Sequence, residues 1–545
     1  MNQNKKNGAA ILVRALENAG VRKIFTLSGN HIMPVYDAIF NSKIDLIHTR
    51  HEAAAVHMAD AWSRLTGEVG IALVTGGPGH ANAISALYTA EMAESAVLLL
   101  SGHAPLNQLG KGAFQEMRQA DIAAPLTKAA WVCQKIDDVA IDTAKAIRIA
   151  KSGRPGPVHL SLPMDVLEAA QIDGTVIPSV TSYEAERTLS PASEMQDFIT
   201  KLILANRPLV LSGPSMQSKN GKVKLCELEN SLGIPVIGME SPRGIGDPSL
   251  GSFSEVLSKA DCVLLLGKKV DFTLKFAQSP GFHKDCIFLQ IDPDEAEIGR
   301  AKDALGERLV HSLISDIPSA IEAFIHSKKT VTNPSASWQQ EVKDAIEFRP
   351  SAWFNIPPRH GNLHPVQALL PLQEILDGHL DSVLISDGGE IGQWAQACLK
   401  APNRIINGVA GSIGAGLPFA VAASLAKPNV PIIAVMGDGT FGFHSAEIDT
   451  AVRYKLPFTL VIGNDARWNA EYQIQVRDYG EDRAIGCELL PTSYEKVCEA
   501  FGGYGEMVIQ SSEVLPAAKR ATASKLPSCI NIMIEGLAAP NIKRA

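Results

Sequence analysis

Two acidic residues follow the ends of two apolar runs in the last third of the chain. Asp438 stands between Gly437 and Gly439 after the run PIIAVM, and Asp465 follows Asn464 after the run FTLVIG. This spacing is one strand–helix–strand step, so both strand ends are expected at the same crevice of a parallel sheet. Carboxylate oxygens suit Mg²⁺, and a glycine turn before a helix N-terminus exposes N–H groups to a phosphate. The pattern therefore predicts a site for Mg²⁺ and a phosphorylated ligand.

A third candidate is Glu52, which follows the run DLIHTR and begins the alanine-rich stretch EAAAVHMADAW. An apolar setting raises the pKa of a carboxyl group and lets it act as a general acid. The alternative is a glutamate that only stabilises a helix N-terminus. His51 and His57 are six residues apart, so they do not form the HExxH pattern of zinc proteases.

The elements that must position these residues are α/β in pattern. Apolar runs that alternate with helical stretches predict three consecutive doubly wound parallel-sheet domains. We expect the first domain over residues 1–185, the second over 190–330, a linker over 331–359 and the third over 360–545. The predicted strands lie at residues 23–29, 45–50, 69–77, 96–102, 208–214, 234–239, 261–269, 286–293, 382–389, 431–439, 458–465 and 529–535.

The composition excludes several classes of protein. The 545 residues carry a net charge of −8, which disfavours a nucleic-acid partner. The eight cysteines form no CxxC pair, and the N-terminus has no apolar signal region, so we expect free thiols and a cytoplasmic location. The uncharged stretch 408–426 contains four glycines and a proline, and we interpret it as a buried loop and helix rather than a membrane span.

Gly-Asp-Gly followed by Asn-Asp resembles the signature of enzymes that depend on thiamine diphosphate (ThDP). The resemblance implies a pyrimidine-binding, a central and a diphosphate-binding domain. It also implies Mg²⁺ ligation by Asp438, by Asp465 and by the backbone carbonyl of Arg467. Asp465 departs from the asparagine that is commoner at its position, although it keeps an oxygen ligand. Glu52 would supply the proton that activates the aminopyrimidine ring of the cofactor.

The resemblance extends to other segments that would hold ThDP. GGPGHAN (76–82) would pack on the pyrimidine, VAGSIGAGLP (409–418) would support the bent cofactor over Ile413 and accept from its amino group at the Gly411 carbonyl, and SDGGEIGQW (386–394) would hold the diphosphate. GGPGHAN lacks the GxGxxG spacing of a dinucleotide loop, which disfavours an NAD dehydrogenase. The expected cofactor-binding residues are Pro78, Asn82, Gly389, Glu390, Ile391, Gly411, Ile413, Gly437, Gly439 and Thr440.

Within the family the chain is most similar to the branch of acetolactate synthase, benzaldehyde lyase and 2-hydroxyacyl-CoA lyase. His31 matches an active-site histidine of the branch and either moves a substrate hydroxyl proton or bonds a nearby carbonyl. Gln115 would bind a substrate oxygen, whereas Phe114 and Lys128 match pocket residues of acetolactate synthase. Trp468 and Tyr472 are candidate pocket walls, with simple packing as the alternative.

The resemblance implies a ThDP- and Mg²⁺-dependent carboligase or lyase that acts on 2-oxoacids or 2-hydroxy ketones. The alternatives are a 2-hydroxyacyl-CoA lyase, a 2-oxoacid decarboxylase, a flavin-dependent oxidoreductase of the pyruvate oxidase type and a non-catalytic paralogue. The segment LGKKVDFTLKFAQSPGF (266–282) disfavours FAD but leaves room for ADP or another adenine nucleotide. We expect small carbonyl substrates, no nucleic-acid or membrane partner, and a homodimer or homotetramer with active sites between subunits.

Overall fold

Apolar runs of four to seven residues form most of the strands, and these lie in three parallel sheets. The computed structural model describes residues 7–170, 176–327 and 336–544. Strands buried along their whole length, such as GIALV and PLVLS, need helices on both faces of the sheet. In the second sheet Leu209 and Leu211 belong to one core cluster while the intervening Val210 belongs to another. Both faces of that sheet are therefore covered.

The first sheet has six strands in the order β2-β1-β3-β4-β6-β5. Its strands are β1 (Lys23–Thr26), β2 (Asp45–His48), β3 (Gly70–Val74), β4 (Val97–His103), β5 (Ala130–Val132) and β6 (Val158–Pro163). The helices of this part of the chain are α1 (Gly8–Asn18), α2 (Met33–Ile39), α3 (Glu52–Thr66), α4 (Pro78–Met92), α5 (Gln119–Ala123), α6 (Val139–Lys151) and α7 (Met164–Glu168).

The second sheet has five strands in the order β11-β10-β9-β7-β8. Its strands are β7 (Pro208–Ser212), β8 (Val236–Gly238), β9 (Cys262–Leu266), β10 (Ile287–Asp292) and β11 (Leu309–Ile314). The helices of this part are α8 (Ala192–Leu204), α9 (Lys219–Leu232), α10 (Phe253–Leu257), α11 (Glu295–Leu305), α12 (Ile317–His326) and α13 (Ala336–Glu347).

The third sheet has six strands in the order β13-β12-β14-β15-β17-β16. Its strands are β12 (Val383–Asp387), β13 (Asn403–Ile406), β14 (Ile432–Gly437), β15 (Phe458–Asn464), β16 (Tyr504–Val508) and β17 (Pro527–Met533). The helices of this part are α14 (Pro365–Leu369), α15 (Gln373–Asp377), α16 (Gly389–Cys398), α17 (Gly416–Ala426), α18 (Asp438–Phe441), α19 (Glu447–Tyr454), α20 (Asn469–Tyr479), α21 (Tyr494–Ala500) and α22 (Val514–Ser524).

The prediction of three α/β domains with parallel sheets is confirmed, because every pair of neighbouring strands in these sheets is parallel. The chain also divides into two compact units. The first unit contains the chain up to Glu186 together with residues 421–426 and 446–455, and the second unit contains the remainder. The first sheet lies in the first unit, and the other two sheets lie in the second.

The predicted linker over 331–359 needs correction, because residues 336–347 form helix α13. Trp338, Val342 and Ala345 of this helix are buried in the core cluster of the second sheet, and the Trp338 indole donates to the Pro208 carbonyl oxygen at 2.9 Å. An amphipathic helix that buries three side chains belongs to the domain it covers. Residues 331–335 of the predicted linker lie outside the described residues.

The uncharged stretch 408–426 has the predicted form. A loop precedes helix α17, and residues 414–424 are buried. Across the described ranges, no helix combines the length and the apolar character needed to cross a membrane.

Candidate active site

A cavity of about 280 Å³ lies in the second unit, at the carboxyl ends of strands β12, β14 and β15. In open parallel sheets this edge is where ligands bind. The predicted residues that line the cavity are Gly389, Glu390, Ile391, Gly411, Ile413, Gly437, Asp438, Gly439, Thr440, Asp465, Arg467 and Trp468. The structure therefore brings together four segments that are separated in sequence.

The two aspartates face each other at the end of adjacent strands. Burial raises the pKa of Asp465 to about 7, with a further contribution from the nearby Asp438 charge. Burial likewise raises the pKa of Asp438 to about 6, although the N–H groups of Gly439, Arg467 and Ala466 oppose the shift. The Asp438 Oδ2 atom is buried without a hydrogen-bond partner among the described residues. A cation between the two carboxylates would relieve both features.

The donor set is that of a hard cation shared with a ligand. Within the described ranges, His, Cys, Asp and Glu form no cluster of three or more that could hold a metal. Two carboxylates leave most of an octahedral shell open, and Mg²⁺ commonly completes its shell with carbonyl, water and phosphate oxygens. The arrangement therefore fits Mg²⁺ that is bound together with a diphosphate.

Two glycines let backbone and side chains approach closely at this cavity. A Cβ atom at Gly388, whose φ is +64°, would clash with the Thr440 side chain. A Cβ atom at Gly439 would lie 2.7 Å from the ring of Trp468. Trp468 therefore packs on the Gly-Asp-Gly turn, and its ring also meets Phe443 edge-on at 6.2 Å. The predicted wall role of Trp468 and its packing role are compatible.

Tyr472 lies beside Arg467. Its hydroxyl lies 3.2 Å from the Glu481 carboxylate, and the Arg467 guanidinium lies 4.3 Å from its ring centroid. Tyr472 is not among the residues that line the cavity. It supports Arg467, which does line it.

Asp387 is a functional candidate that the sequence reasoning missed. It ends β12 and is 1% exposed, and its Oδ2 accepts the N–H groups of Gly414 at 3.0 Å and Gly416 at 2.5 Å. Burial raises its pKa to about 7. These bonds fix the loop that carries Gly411 and Ile413. The local pattern SDGG gives no indication of a partner about 30 residues away.

A second missed feature is the loop after β8, because Ser241, Pro242 and Arg243 of the central domain also line the cavity. The Arg243 guanidinium lies 3.7 Å from the Glu390 carboxylate, which also accepts the Ala539 N–H at 2.9 Å. Burial raises the pKa of Glu390, whereas Arg243 lowers it. Arg243 and the Ala539 N–H therefore both interact with the Glu390 carboxylate at the wall of the cavity.

Glu52 lies in the first unit, at the first residue of α3, and its side chain is buried at 8% exposure. Its Oε2 accepts from the Asn82 amide nitrogen at 3.0 Å. Asn82 lies in the first turns of α4, and Pro78 is the first residue of that helix. Three residues predicted around the pyrimidine are therefore adjacent at two helix N-termini.

A second cluster in the first unit gathers the predicted substrate residues. The His31 ring stacks on Phe114 with centroids 5.8 Å apart, and its Nδ1 lies 3.3 Å from the Thr75 hydroxyl. Burial lowers the pKa of His31, although hydrogen bonding to Phe114 and Gln115 partly offsets this effect. Gln115 has φ +57°, and its buried Oε1 makes no hydrogen bond of good geometry among the described residues, although the amide lies close enough to the His31 ring to raise its pKa. The cluster offers a neutral imidazole with an amide oxygen beside it.

The Lys128 ammonium donates to the carbonyl oxygens of Ile149 and Ser152, at the C-terminal end of α6, and these contacts cap that helix. Gln119 is a further residue that the sequence analysis did not single out. Gln119 is 1% exposed, and its Oε1 accepts the Gly77 N–H at 2.9 Å. Spacing alone does not distinguish which glutamine of GAFQEMRQ holds the glycine loop.

Comparisons with known proteins agree with this geometry. Residues 6–122 match the N-terminal TPP binding domain of thiamine pyrophosphate enzymes, residues 195–322 match their central domain, and residues 387–532 match their C-terminal TPP binding domain. The chain is 30% identical to an acetolactate synthase large subunit of Mycobacterium tuberculosis, with 96% of this chain and 95% of the relative covered. It is 29% identical to 2-hydroxyacyl-CoA lyase 2 of Homo sapiens, with 97% and 90% covered.

Proposed function

Because the chain belongs to the family of thiamine-diphosphate-dependent enzymes, we propose that it is a Mg²⁺-dependent carboligase or lyase of 2-oxoacids or 2-hydroxy ketones, similar to acetolactate synthase. The family and the similar synthases and lyases indicate an enzyme that forms or cleaves carbon–carbon bonds. Our proposal adds the class of substrate and the metal.

The residues around the cavity have the chemistry to hold ThDP and Mg²⁺. We assign the metal to Asp438, Asp465 and the Arg467 carbonyl, and the diphosphate to the N–H groups at the starts of α16 and α18. The support for this assignment is the pair of interacting aspartates, of which Asp438 is buried and has an oxygen without a hydrogen-bond partner among the described residues. Ile413 would contact the middle of the cofactor. ThDP supplies an electron sink next to the substrate carbonyl.

Glu52 is proposed to exchange a proton at N1′ of the aminopyrimidine. Its side chain is buried at the start of α3, and the Asn82 amide nitrogen donates to its Oε2 at 3.0 Å, which fixes the orientation of the carboxyl group. A carboxyl group held in one orientation by a neutral donor can both give and accept a proton at a bound ring nitrogen.

The observation that favours a hydroxy-ketone substrate is the cluster of His31, Phe114 and Gln115. The buried Gln115 amide oxygen makes no hydrogen bond of good geometry among the described residues, and a substrate hydroxyl would provide a donor for it. His31, held neutral by burial, would accept and return the proton of that hydroxyl. Phe114 would cover the ring and exclude water.

A 2-hydroxyacyl-CoA lyase is the second candidate, because relatives from several animals carry that name. Its substrate has the same hydroxyl next to a carbonyl. A 2-oxoacid decarboxylase and a flavin-dependent oxidoreductase have less support, and FAD or ADP in the central domain, a cytoplasmic location and a homodimer or homotetramer stay predictions.

The test is purified apo-protein titrated with ThDP and Mg²⁺ and supplied with pyruvate, with an aromatic 2-hydroxy ketone, or with a 2-hydroxyacyl-CoA. Acetolactate from pyruvate supports a synthase, and aldehyde release from either hydroxy substrate supports a lyase. Flavin absorbance of the purified protein would favour the oxidoreductase. The proposal is wrong if none of the three substrates turns over while the cofactor is bound, or if Glu52→Gln is as active as the wild type.

Gln115 provides a sharper test of the substrate class. Gln115→Met keeps the side-chain volume and removes the amide, so KM for a hydroxy substrate should rise about 10-fold, equivalent to one hydrogen bond of about 1.4 kcal/mol. Gln108→Met changes an exposed residue of the same segment and is the control. Equal KM values for the two variants would show that Gln115 does not contact the substrate.

A further inference from the structure

Glu447, at the start of α19, directs a buried carboxylate at the backbone just before Glu52. The side chain is 1% exposed, and its Oε1 accepts the Arg50 N–H at 2.9 Å. The same carboxylate accepts the N–H of His51, and its Oε2 accepts the Thr450 hydroxyl at 2.7 Å. All of these residues lie in the first unit.

Other residues of α19 bind the same stretch of backbone. The Tyr454 hydroxyl accepts the His48 N–H at 2.8 Å and donates to the Leu46 carbonyl oxygen at 2.9 Å. The Arg453 guanidinium donates to the His48 carbonyl oxygen at 2.7 Å. Backbone groups from residue 46 to residue 51 are therefore held by one helix face, and Glu52 is the next residue in the chain.

A buried carboxylate is costly unless its hydrogen bonds are strong. Backbone N–H groups ahead of a helix have no partner within the helix, and a carboxylate that accepts them also interacts favourably with the positive end of the helix dipole. Glu447 thus fixes the backbone one and two residues before Glu52. These hydrogen bonds therefore fix the position of the backbone from which the Glu52 side chain extends.

We propose that Glu447 is the positioning residue of Glu52, with α19 as the cradle that holds the β2–α3 turn in its catalytic conformation. The proposal rests on the proposed role of Glu52 in activating the cofactor. Glu447 itself does not contact the cofactor in this account. Its removal should therefore affect activation more than affinity.

The principal test compares Glu447→Gln with the wild type as holoenzyme with ThDP and Mg²⁺. The measured quantity is the rate of hydrogen–deuterium exchange at C2 of the bound cofactor. A displacement of about 1 Å near the reacting groups costs about 100-fold in rate, so we expect exchange to slow by about 10- to 100-fold. The Kd of ThDP should stay within about threefold, because the proposed diphosphate and metal residues are unchanged.

A second readout needs no cofactor. We measure backbone amide hydrogen exchange in apo-protein, in the peptide that covers residues 46–54. Exchange should become about 10-fold faster in Glu447→Gln, because the neutral side chain is a weaker acceptor for the Arg50 and His51 N–H groups than the carboxylate. Lys455→Asn, an exposed change at the end of the same helix, is the control. No described side-chain contact joins Lys455 to residues 46–54, so this variant should match the wild type in both measurements.

If Glu447→Gln does not fold, variants of Thr450 test the same proposal. Thr450→Val removes the hydroxyl that orients the Glu447 carboxylate and should slow C2 exchange about threefold to 10-fold, the effect of one hydrogen bond. Thr450→Ser keeps the hydroxyl and should restore the rate. Wild-type exchange in both Glu447→Gln and Thr450→Val, while Glu52→Gln loses it, overturns the proposal. Wild-type exchange in Glu52→Gln overturns the role of Glu52 itself.

Discussion

At the residue scale, the proposed metal site contains two carboxyl groups, Asp438 and Asp465, whose negative charges repel each other. Both have raised pKa values, about 6 for Asp438 and about 7 for Asp465, with burial as the larger cause and Asp438 as a further cause at Asp465. In metal-free protein each group therefore holds its proton more tightly when folded than when unfolded. The stability of the apo-protein should fall as the pH rises from about 4 to about 7.

Mg²⁺ binding should consequently depend on pH in the opposite direction. Mg²⁺ has to displace the protons of Asp438 and Asp465, so its apparent affinity should rise from about pH 5.5 to about pH 7.5 and then level off. Calorimetry in buffers of different ionisation enthalpy would detect the released protons. Asp438→Asn should weaken Mg²⁺ by more than about 100-fold and should make the apo-protein less sensitive to pH. A pH-independent Mg²⁺ affinity in the wild type would contradict this account.

Residues that act through a local motif were predictable, whereas their distant partners were not. The predicted residues of the Gly-Asp-Gly turn and of the 386–394 and 409–418 segments line one cavity. They could be predicted because each motif is contiguous in sequence with the strand or helix end that positions it. Thr75 bonds the predicted His31, whereas Gln119, Asp387 and Glu447 bond residues next to or near predicted site residues; these pairs span 27 to 397 positions in sequence. Nothing in a single sequence records such tertiary pairs.

At the scale of elements, Asp387 should decide the conformation of the loop that carries Ile413. Asp387→Ala removes two hydrogen bonds of about 1 kcal/mol each, so the Kd of ThDP should rise about 30-fold. Asp387→Asn keeps an acceptor oxygen without a buried charge, and its Kd should stay within about threefold of wild type. Circular dichroism titration with ThDP at fixed Mg²⁺ would measure both. Equal affinities of Asp387→Ala and wild type would mean that the loop is held by other contacts.

Helix α13 should contribute stability to the second domain without affecting the cofactor. Trp338→Ala removes a buried indole and should cost about 3–5 kcal/mol of unfolding free energy. Lys343→Ala, an exposed change on the same helix, should cost less than about 0.5 kcal/mol. Denaturant unfolding of the full chain measures the difference, and the Kd of ThDP should match in both variants. A near-neutral Trp338→Ala would show that α13 is peripheral after all.

The strands that sequence patterns failed to predict are mostly strands at or near the edges of the sheets. β5, β11, β13 and β16 are edge strands, and β5, β11 and β16 are only partly buried. Edge strands carry polar residues on exposed positions and therefore lack a continuous apolar run. β6 is fully buried but contains a histidine and a serine that interrupt the pattern. The buried central strands were predictable because burial on both faces requires apolar residues throughout.

At the scale of the whole molecule, the proposed catalytic groups are divided between the two compact units. Glu52 and the His31 cluster lie in the first unit, and the aspartates lie in the second. The second unit is itself joined by an ion pair, in which Arg404 of β13 donates to the buried Glu240 after β8 at 2.8 and 2.9 Å. We predict that one active site takes its two halves from two copies of the chain.

The most direct test is complementation between two inactive variants. Glu52→Gln lacks the activating carboxyl group in every site, and Asp438→Asn lacks a metal ligand in every site. In a mixed dimer, isolated through two different affinity tags, one site contains both intact groups and the other contains neither. A mixture of Glu52→Gln with Glu52→Ala is the control, because no site in it regains Glu52.

We expect each variant alone and the control mixture to show less than about 1% of wild-type activity with ThDP and Mg²⁺, and the mixed dimer of Glu52→Gln and Asp438→Asn to recover about half. A mixed dimer as inactive as its parents would contradict the assignment of these residues to one site built from two subunits. Full activity of the Glu52→Gln variant by itself would contradict the central claim outright.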